Sequence, residues 1–130
     1  MAGKKHRVLV VDDCKKTTQL IKRELAGKGF DVHLATSVDQ ATRMILKKET
    51  RPDIVLLDVV MPGVNGEQFC RFIKKNELFS GITVVLCSGI DPDELKKVAE
   101  KCGADGFVHK ESFLGKDALA GLLKRQQESK

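Results

Sequence analysis

Five apolar runs punctuate the chain, and amphipathic segments separate them. The first, Val8–Val11 within Arg7–Val11, has no polar position, which predicts a strand covered on both faces. Lys15–Ala26 follows with Thr17, Leu20, Ile21 and Leu25 at helical spacing, and Gly27 or Gly29 is available to end it. Val32–Ala35 reads as a short strand. Ser37 with Gln40 three residues on reads as a capping box that opens a helix with Val38, Ala41 and Ile45 on one face. Asp53–Leu57 is the next strand, apolar from Ile54 to Leu57, and Pro52 closes off what precedes it. Beyond a Pro/Gly loop, Glu67–Lys75 reads as a helix with Phe69, Cys70, Phe72 and Ile73 toward the core. Ile82–Cys87 is another apolar strand. Asp91 then caps a helix with Pro92 at its first position, Glu94 completing the box and Gly103 at its end. Phe107 and Val108 centre a fifth strand. Ala118–Arg125 reads as the last helix, with Leu119, Leu122 and Leu123 as its stripe, ahead of the polar tail Gln126–Lys130.

Strands and helices therefore alternate strictly, five of each. Strands apolar on both faces imply an α/β fold with a parallel sheet covered by helices on both sides. Right-handed crossovers leave few topologies, and the expected one is a flavodoxin-like doubly wound sandwich with strand order 2-1-3-4-5. The 130 residues suit one domain, with a core over about 6–125 and 126–130 as a polar tail or the start of a linker. No apolar run approaches the ~18–20 residues of a membrane span. The charged start is followed by an apolar stretch that ends in two aspartates, which is a strand and not a secretory signal. A cytoplasmic location is expected. The net charge of +5 and pI of about 9.1 raise nucleic-acid binding as a possibility. The lysines and arginines are spread at helical spacing between apolar residues, however, which fits solvated helix faces, and the Lys4-Lys5-His6-Arg7 cluster is too short to argue more. Cys14, Cys70, Cys87 and Cys102 form no CxxC pair or metal-finger spacing, so four reduced thiols in or near the core are expected. His6, His33 and His109 form no ligand motif.

In such sheets, function gathers at the carboxyl ends of the strands, beside the point where strand order reverses. Strand one ends in Asp12-Asp13 and strand three in Asp58; strand four ends in Cys87-Ser88-Gly89 and strand five in His109-Lys110. Each of these is weak alone: Asp12-Asp13 is equally a helix N-cap, Asp58 a turn residue before Pro62, Lys110 a surface lysine. Together they are specific. With strands one and three adjacent, three carboxylates meet, and either some stay protonated or a cation binds. All-oxygen ligands suit Mg²⁺ or Mn²⁺ rather than zinc. A divalent cation, an ammonium and a hydroxyl around one carboxylate is the constellation phosphoryl transfer needs, with the carboxylate as nucleophile.

The sequence resembles the receiver family of two-component response regulators over essentially its whole length. The paired acids after Val8–Val11 match the family's acidic pocket. Asp58-Val-Val-Met61-Pro62-Gly63-Val-Asn-Gly66 matches its phosphorylation-site loop, Ser88-Gly89 its hydroxyl-plus-small position, and Gly103–Lys110 its lysine-bearing strand with an aromatic switch position. The resemblance implies that Asp58 accepts a phosphoryl group and ligates Mg²⁺. Asp13 would bind the metal directly, Asp12 mainly through water, and the Val60 carbonyl would be a further ligand. Lys110 would pair with the phosphate, Ser88 would reach toward it, and Phe107 would swing into the space vacated. That makes a two-state switch on the face of helix four, strand five and helix five. The implied partners are a sensor histidine kinase or phosphotransfer protein upstream, and an effector protein or fused output domain downstream, with no nucleic acid or membrane bound directly.

Three departures from the family pattern stand out. Glu111 follows the lysine where a proline is common, Val60 and Ile90 are apolar where many relatives are polar, and little chain follows the last helix. Two other classes compete with a signalling phosphoacceptor. A Mg²⁺-dependent aspartyl phosphatase of the haloacid-dehalogenase type would carry a second aspartate two residues after the nucleophile, where this chain has Val60. A phosphorylation-independent docking domain would not need the intact set of Asp12, Asp13, Asp58, Ser88 and Lys110.

Overall fold

The computed structural model describes residues 6–26, 28–61 and 64–110. Within them run β1 (His6–Val11), α1 (Lys15–Leu25), β2 (Phe30–Ala35), α2 (Val38–Leu46), β3 (Ile54–Leu57), β4 (Val60–Met61), β5 (Val64–Asn65), α3 (Gly66–Lys75), β6 (Thr83–Ser88), α4 (Pro92–Cys102) and β7 (Gly106–His109). The main sheet has the order β2-β1-β3-β6-β7 and every pairing in it is parallel. Setting aside the β4–β5 hairpin, this is the expected 2-1-3-4-5. The expected last helix, Ala118–Arg125, lies outside the described residues, as does Glu111. Among the described residues no helix is long and apolar enough to cross a membrane.

The central strands are apolar over Val8–Val11 of β1, Ile54–Leu57 of β3 and Val84–Cys87 of β6, because both faces are covered there. Leu9, Val11, Val55, Leu57, Val84 and Leu86 pack on one side with Ala41 and Ile45 of α2, Phe69, Cys70 and Ile73 of α3, and Leu95, Ala99 and Cys102 of α4. Val8, Val10, Ile54, Leu56, Val85 and Cys87 pack on the other with Ile21 and Leu25 of α1. Burying a Leu, Ile or Val side chain is worth roughly 1.5–3 kcal/mol, so a one-residue slip of any central strand would exchange its two faces and lose that fit.

Several local expectations are corrected. Helix α1 ends at Leu25, with the Ala26 N–H donating to the Lys22 carbonyl; Gly27 lies outside the described residues, and Gly29, at φ +94°, carries the turn into β2. Its buried face is Thr17, Thr18, Ile21 and Leu25, with Leu20 only half-buried. Ser37 does cap α2, accepting from the Gln40 N–H at 3.1 Å, but the Gln40 side chain reaches back to the Thr36 N–H at 3.0 Å, one residue earlier than the box requires. Phe72 is 40% exposed rather than in the core. Cys14 is exposed at the N-cap of α1, and only Cys70, Cys87 and Cys102 are buried thiols. Part of the Pro/Gly loop after Asp58 is a small antiparallel hairpin, with Val60 paired to Asn65 and Met61 to Val64. Asp91 caps α4 as expected, accepting from the Asp93 and Glu94 N–H groups, and Gly103 ends it in the left-handed conformation.

Candidate functional site

The register of the sheet brings the expected residues to one edge. Asp12 and Asp58 continue β1 and β3 by one residue each: the Asp12 N–H donates to the Ala35 carbonyl at 3.1 Å, and the Asp58 N–H to the Val11 carbonyl at 3.0 Å. These main-chain bonds fix where both side chains start. Each carboxylate then commits one oxygen locally. Asp12 Oδ1 accepts from the Cys14 N–H at 2.9 Å, and Asp58 Oδ1 accepts from the Val60 N–H at 2.9 Å. The other oxygens face each other across a single cation. Lys110 Nζ, just beyond β7, lies 2.8 Å from Asp12 Oδ2 and 3.0 Å from Asp58 Oδ2. Burial alone would depress the Lys110 ammonium, but the hydrogen bonds to Asp12 and Asp58, together with their charges, outweigh it and raise its pKa.

Asp13 completes the cluster from the exposed side: one carboxylate oxygen from each of Asp12, Asp13 and Asp58 lies within 4.8 Å of the others. Asp12 and Asp58 are buried, at 2% and 5% exposure. Three carboxylates and one ammonium leave a formal charge of −2 in this small volume. Ser88, the last residue of β6, is buried, and among the described residues its Oγ accepts a long bond of 3.4 Å from the Ile90 N–H. Val60 stands out into solvent, while Ile90 and Val59 pack partly against the α2–α4 core. Phe107 is paired in register with Leu86, two positions behind the Ser88–His109 pair, and is 40% exposed. Cys87 lies beside Ser88 in sequence but on the other face of β6, where burial pushes its thiol up to about 12.

Gly66, the first residue of α3, has a role that sequence reasoning took only as part of a motif. A Cβ there would lie 2.8 Å from Val59 Cα and 3.0 Å from the Asp58 carbonyl oxygen. The absence of a side chain lets the helix start press directly on the backbone that carries Asp58. The bridging position of Lys110 between two carboxylates was also not legible from the sequence, since no local pattern links residue 110 to residue 12.

The profile of the response regulator receiver domain matches residues 8–122. The chain is 32% identical over 121 residues to the DNA-binding response regulator MtrA of Mycolicibacterium smegmatis, covering 93% of this chain and 50% of MtrA. It is 34% identical over 104 residues to the response regulator PleD of Caulobacter vibrioides, covering 80% of this chain and 22% of PleD. The chain thus spans half or less of the length of these curated relatives. Among solved structures it resembles the BeF3-activated receiver domain of DrrB, a Thermotoga maritima protein, with a TM-score of 0.79 and 25% identity, covering 95% of this chain and 98% of that one.

Proposed function

Because the chain belongs to the response regulator receiver family, whose members serve phosphorylation-activated two-component signalling, we propose that Asp58 is its phosphoacceptor and that Asp12, Asp13, Ser88, Lys110 and Phe107 serve that step and its readout. The observation that carries the assignment is the convergence on Asp58. It is a buried carboxylate with one oxygen oriented by the Val60 N–H and the other 3.0 Å from Lys110, beside two further aspartates. In the reaction an Asp58 oxygen attacks phosphorus and the O–P bond forms. The N–P bond of a phosphohistidine donor, on a sensor histidine kinase or phosphotransfer protein, breaks, and the imidazole leaves. Lys110 exchanges its contact with Asp58 Oδ2 for one with a phosphoryl oxygen, offsetting charge as it develops. Ser88 Oγ, weakly engaged at 3.4 Å, is free to turn toward the product. Phe107 then moves inward, altering the surface built by α4 and β7.

The donor set suits a divalent cation of the Mg²⁺ or Mn²⁺ type: its side-chain ligands are all carboxylate oxygens, and the local charge of −2 needs neutralising. Asp13, Asp58 and the Val60 carbonyl would hold it directly and Asp12 through water. When bound, Mg²⁺ supplies positive charge to the phosphoryl oxygens. A domain of this kind is a signalling phosphoacceptor working in the cytoplasm, handing its state to an effector protein or a fused output domain. Acetyl phosphate with Mg²⁺ should add one phosphoryl group to the intact protein, and Asp58→Asn should abolish the addition. Undiminished labelling in that variant sinks the assignment; no labelling of the wild type by either acetyl phosphate or a histidine kinase favours a phosphorylation-independent docking domain.

A further inference from the structure

Two of the buried cysteines face one another. Cys70 lies in α3, and Cys102, 32 residues later, is the last residue of α4. Both belong to the core on the same side of the sheet, at 0% and 2% exposure. The Cys70 thiol donates to the Cys102 carbonyl oxygen at 3.5 Å, so the two residues are in direct contact, and the Cys102 thiol donates back along its own helix to the Ala99 carbonyl oxygen at 3.8 Å. We propose that Cys70 and Cys102 form an oxidation site: a peroxide converts the two thiols into an intramolecular disulfide that staples the C-terminal end of α4 to α3.

The pair has the chemical asymmetry such a step uses. The neighbouring Cys70 side chain holds the Cys102 thiol below its ordinary range against the opposing effect of burial, whereas Cys102 and burial push Cys70 up. Cys102 is therefore the first nucleophile. Its thiolate attacks a peroxide oxygen, the O–O bond breaks, and a sulfenic acid and one water result. The Cys70 sulfur then attacks the sulfenic sulfur, the S–S bond forms, and the hydroxyl leaves as a second water. Both thiol hydrogens end in water, and the peroxide is the only oxidant consumed. Access is set by the end of α4. Cys102 is the last helical residue before Gly103, at φ +76°, so fraying of one turn uncovers its sulfur to a molecule little larger than water. The remaining thiols are not alternatives within the fold, because Cys14 is exposed at the start of α1 and Cys87 packs on the opposite face of the sheet.

The test uses the full chain treated with hydrogen peroxide, quenched with an alkylating agent and mapped by mass spectrometry without reduction. The expected result is loss of two hydrogens and a Cys70–Cys102 linked peptide, in the wild type and in Cys14→Ser. The link should be reversed by dithiothreitol and absent in Cys102→Ser, and the oxidised protein should melt at a higher temperature than the reduced protein. If the serine variant does not fold, the wild-type map alone decides. Sulfinic acid on Cys102 with Cys70 still a free thiol overturns the proposal. So does a disulfide joining any other pair, or full alkylation of both residues after peroxide has oxidised Cys14. An oxidised form that melts no higher overturns the staple.

Discussion

Lys110→Met should strongly destabilise the metal-free protein, because the ammonium is the counter-charge that lets Asp12 and Asp58 stay buried. At separations of 2.8 and 3.0 Å, each attraction is worth about 6 kcal/mol at an effective dielectric of ~20, before desolvation is subtracted. Removing the lysine leaves Asp12 and Asp58 facing one another within 4.8 Å, a repulsion of roughly 3.5 kcal/mol or more on the same scale. Breaking a buried ion pair by deleting one partner typically costs about 3–5 kcal/mol. Lys110 keeps 17% of its side-chain surface exposed, so water relieves part of this and the lower end, about 3 kcal/mol, is expected. For a chain of 130 residues that is a fall in melting temperature of about 12 °C. The folded-state pKa of Lys110 is raised, so its contribution is complete below the ordinary lysine value and is lost only as pH rises through the folded value. The gap between wild type and variant should therefore stay constant from neutral pH to about pH 10. Saturating Mg²⁺ should narrow the gap, because a ligand bound only by the native state adds stability by mass action, and without the lysine nothing competes for the carboxylates. Thermal melts with and without Mg²⁺ test this. A variant melting within about 2 °C of wild type, or equal Mg²⁺ shifts in the two proteins, would refute the reasoning.

Asp58→Asn keeps an acceptor for the Val60 N–H but removes one of three clustered carboxylates, so it should raise metal-free stability by about 1 kcal/mol and reduce the Mg²⁺ shift; an undiminished shift would mean that Asp58 is not a ligand. Gly66→Ala should cost about 1–3 kcal/mol in urea denaturation and slow acetyl phosphate labelling, since its Cβ would overlap Val59 Cα; a neutral effect on both would show that the helix start shifts freely. Loss of the phosphoryl group needs water attacking in line, and neither Val60 nor Ile90 can orient one, so the phosphorylated form should be long-lived. Val60→Asn with Ile90→Glu should speed decay roughly tenfold if the barrier falls about 1.4 kcal/mol, whereas rapid wild-type decay unchanged in the double variant would point to another route for water. Hydrogen exchange with and without a phosphate mimic should differ across α4 and β7, and identical exchange there would remove the switch.

Much of the architecture was legible because local patterns carry it. Val8–Val11, Ile54–Leu57 and the run ending at Cys87 read as apolar without alternation, which only a strand covered on both faces tolerates. The acids directly after the first two runs, and Lys110 directly after β7, then follow the strands to one edge. Caps were legible where a single side chain meets its own backbone, as at Ser37 and Asp91. Where several residues compete for one contact, the pattern misled. Helical spacing put Phe72 in the α3 stripe with Phe69 and Ile73, but the core closes over only part of that arc, and Phe72 lies at its rim. Free cysteines are usually buried, yet Cys14 falls at a helix start beside the acidic edge, where no core exists to take it.

By itself, then, the sequence determined the order and type of the main-sheet strands and of α1 to α4, the parallel sheet and the set of residues at its carboxyl edge, since each depends on neighbours a few positions apart. The tertiary structure alone decided which oxygens Lys110 bridges, that Gly66 must lack a side chain beneath Asp58, and that Cys70 meets Cys102. Those contacts join residues 8 to 98 positions apart in the chain. Their geometry is fixed by strand register and helix packing, which no local periodicity encodes.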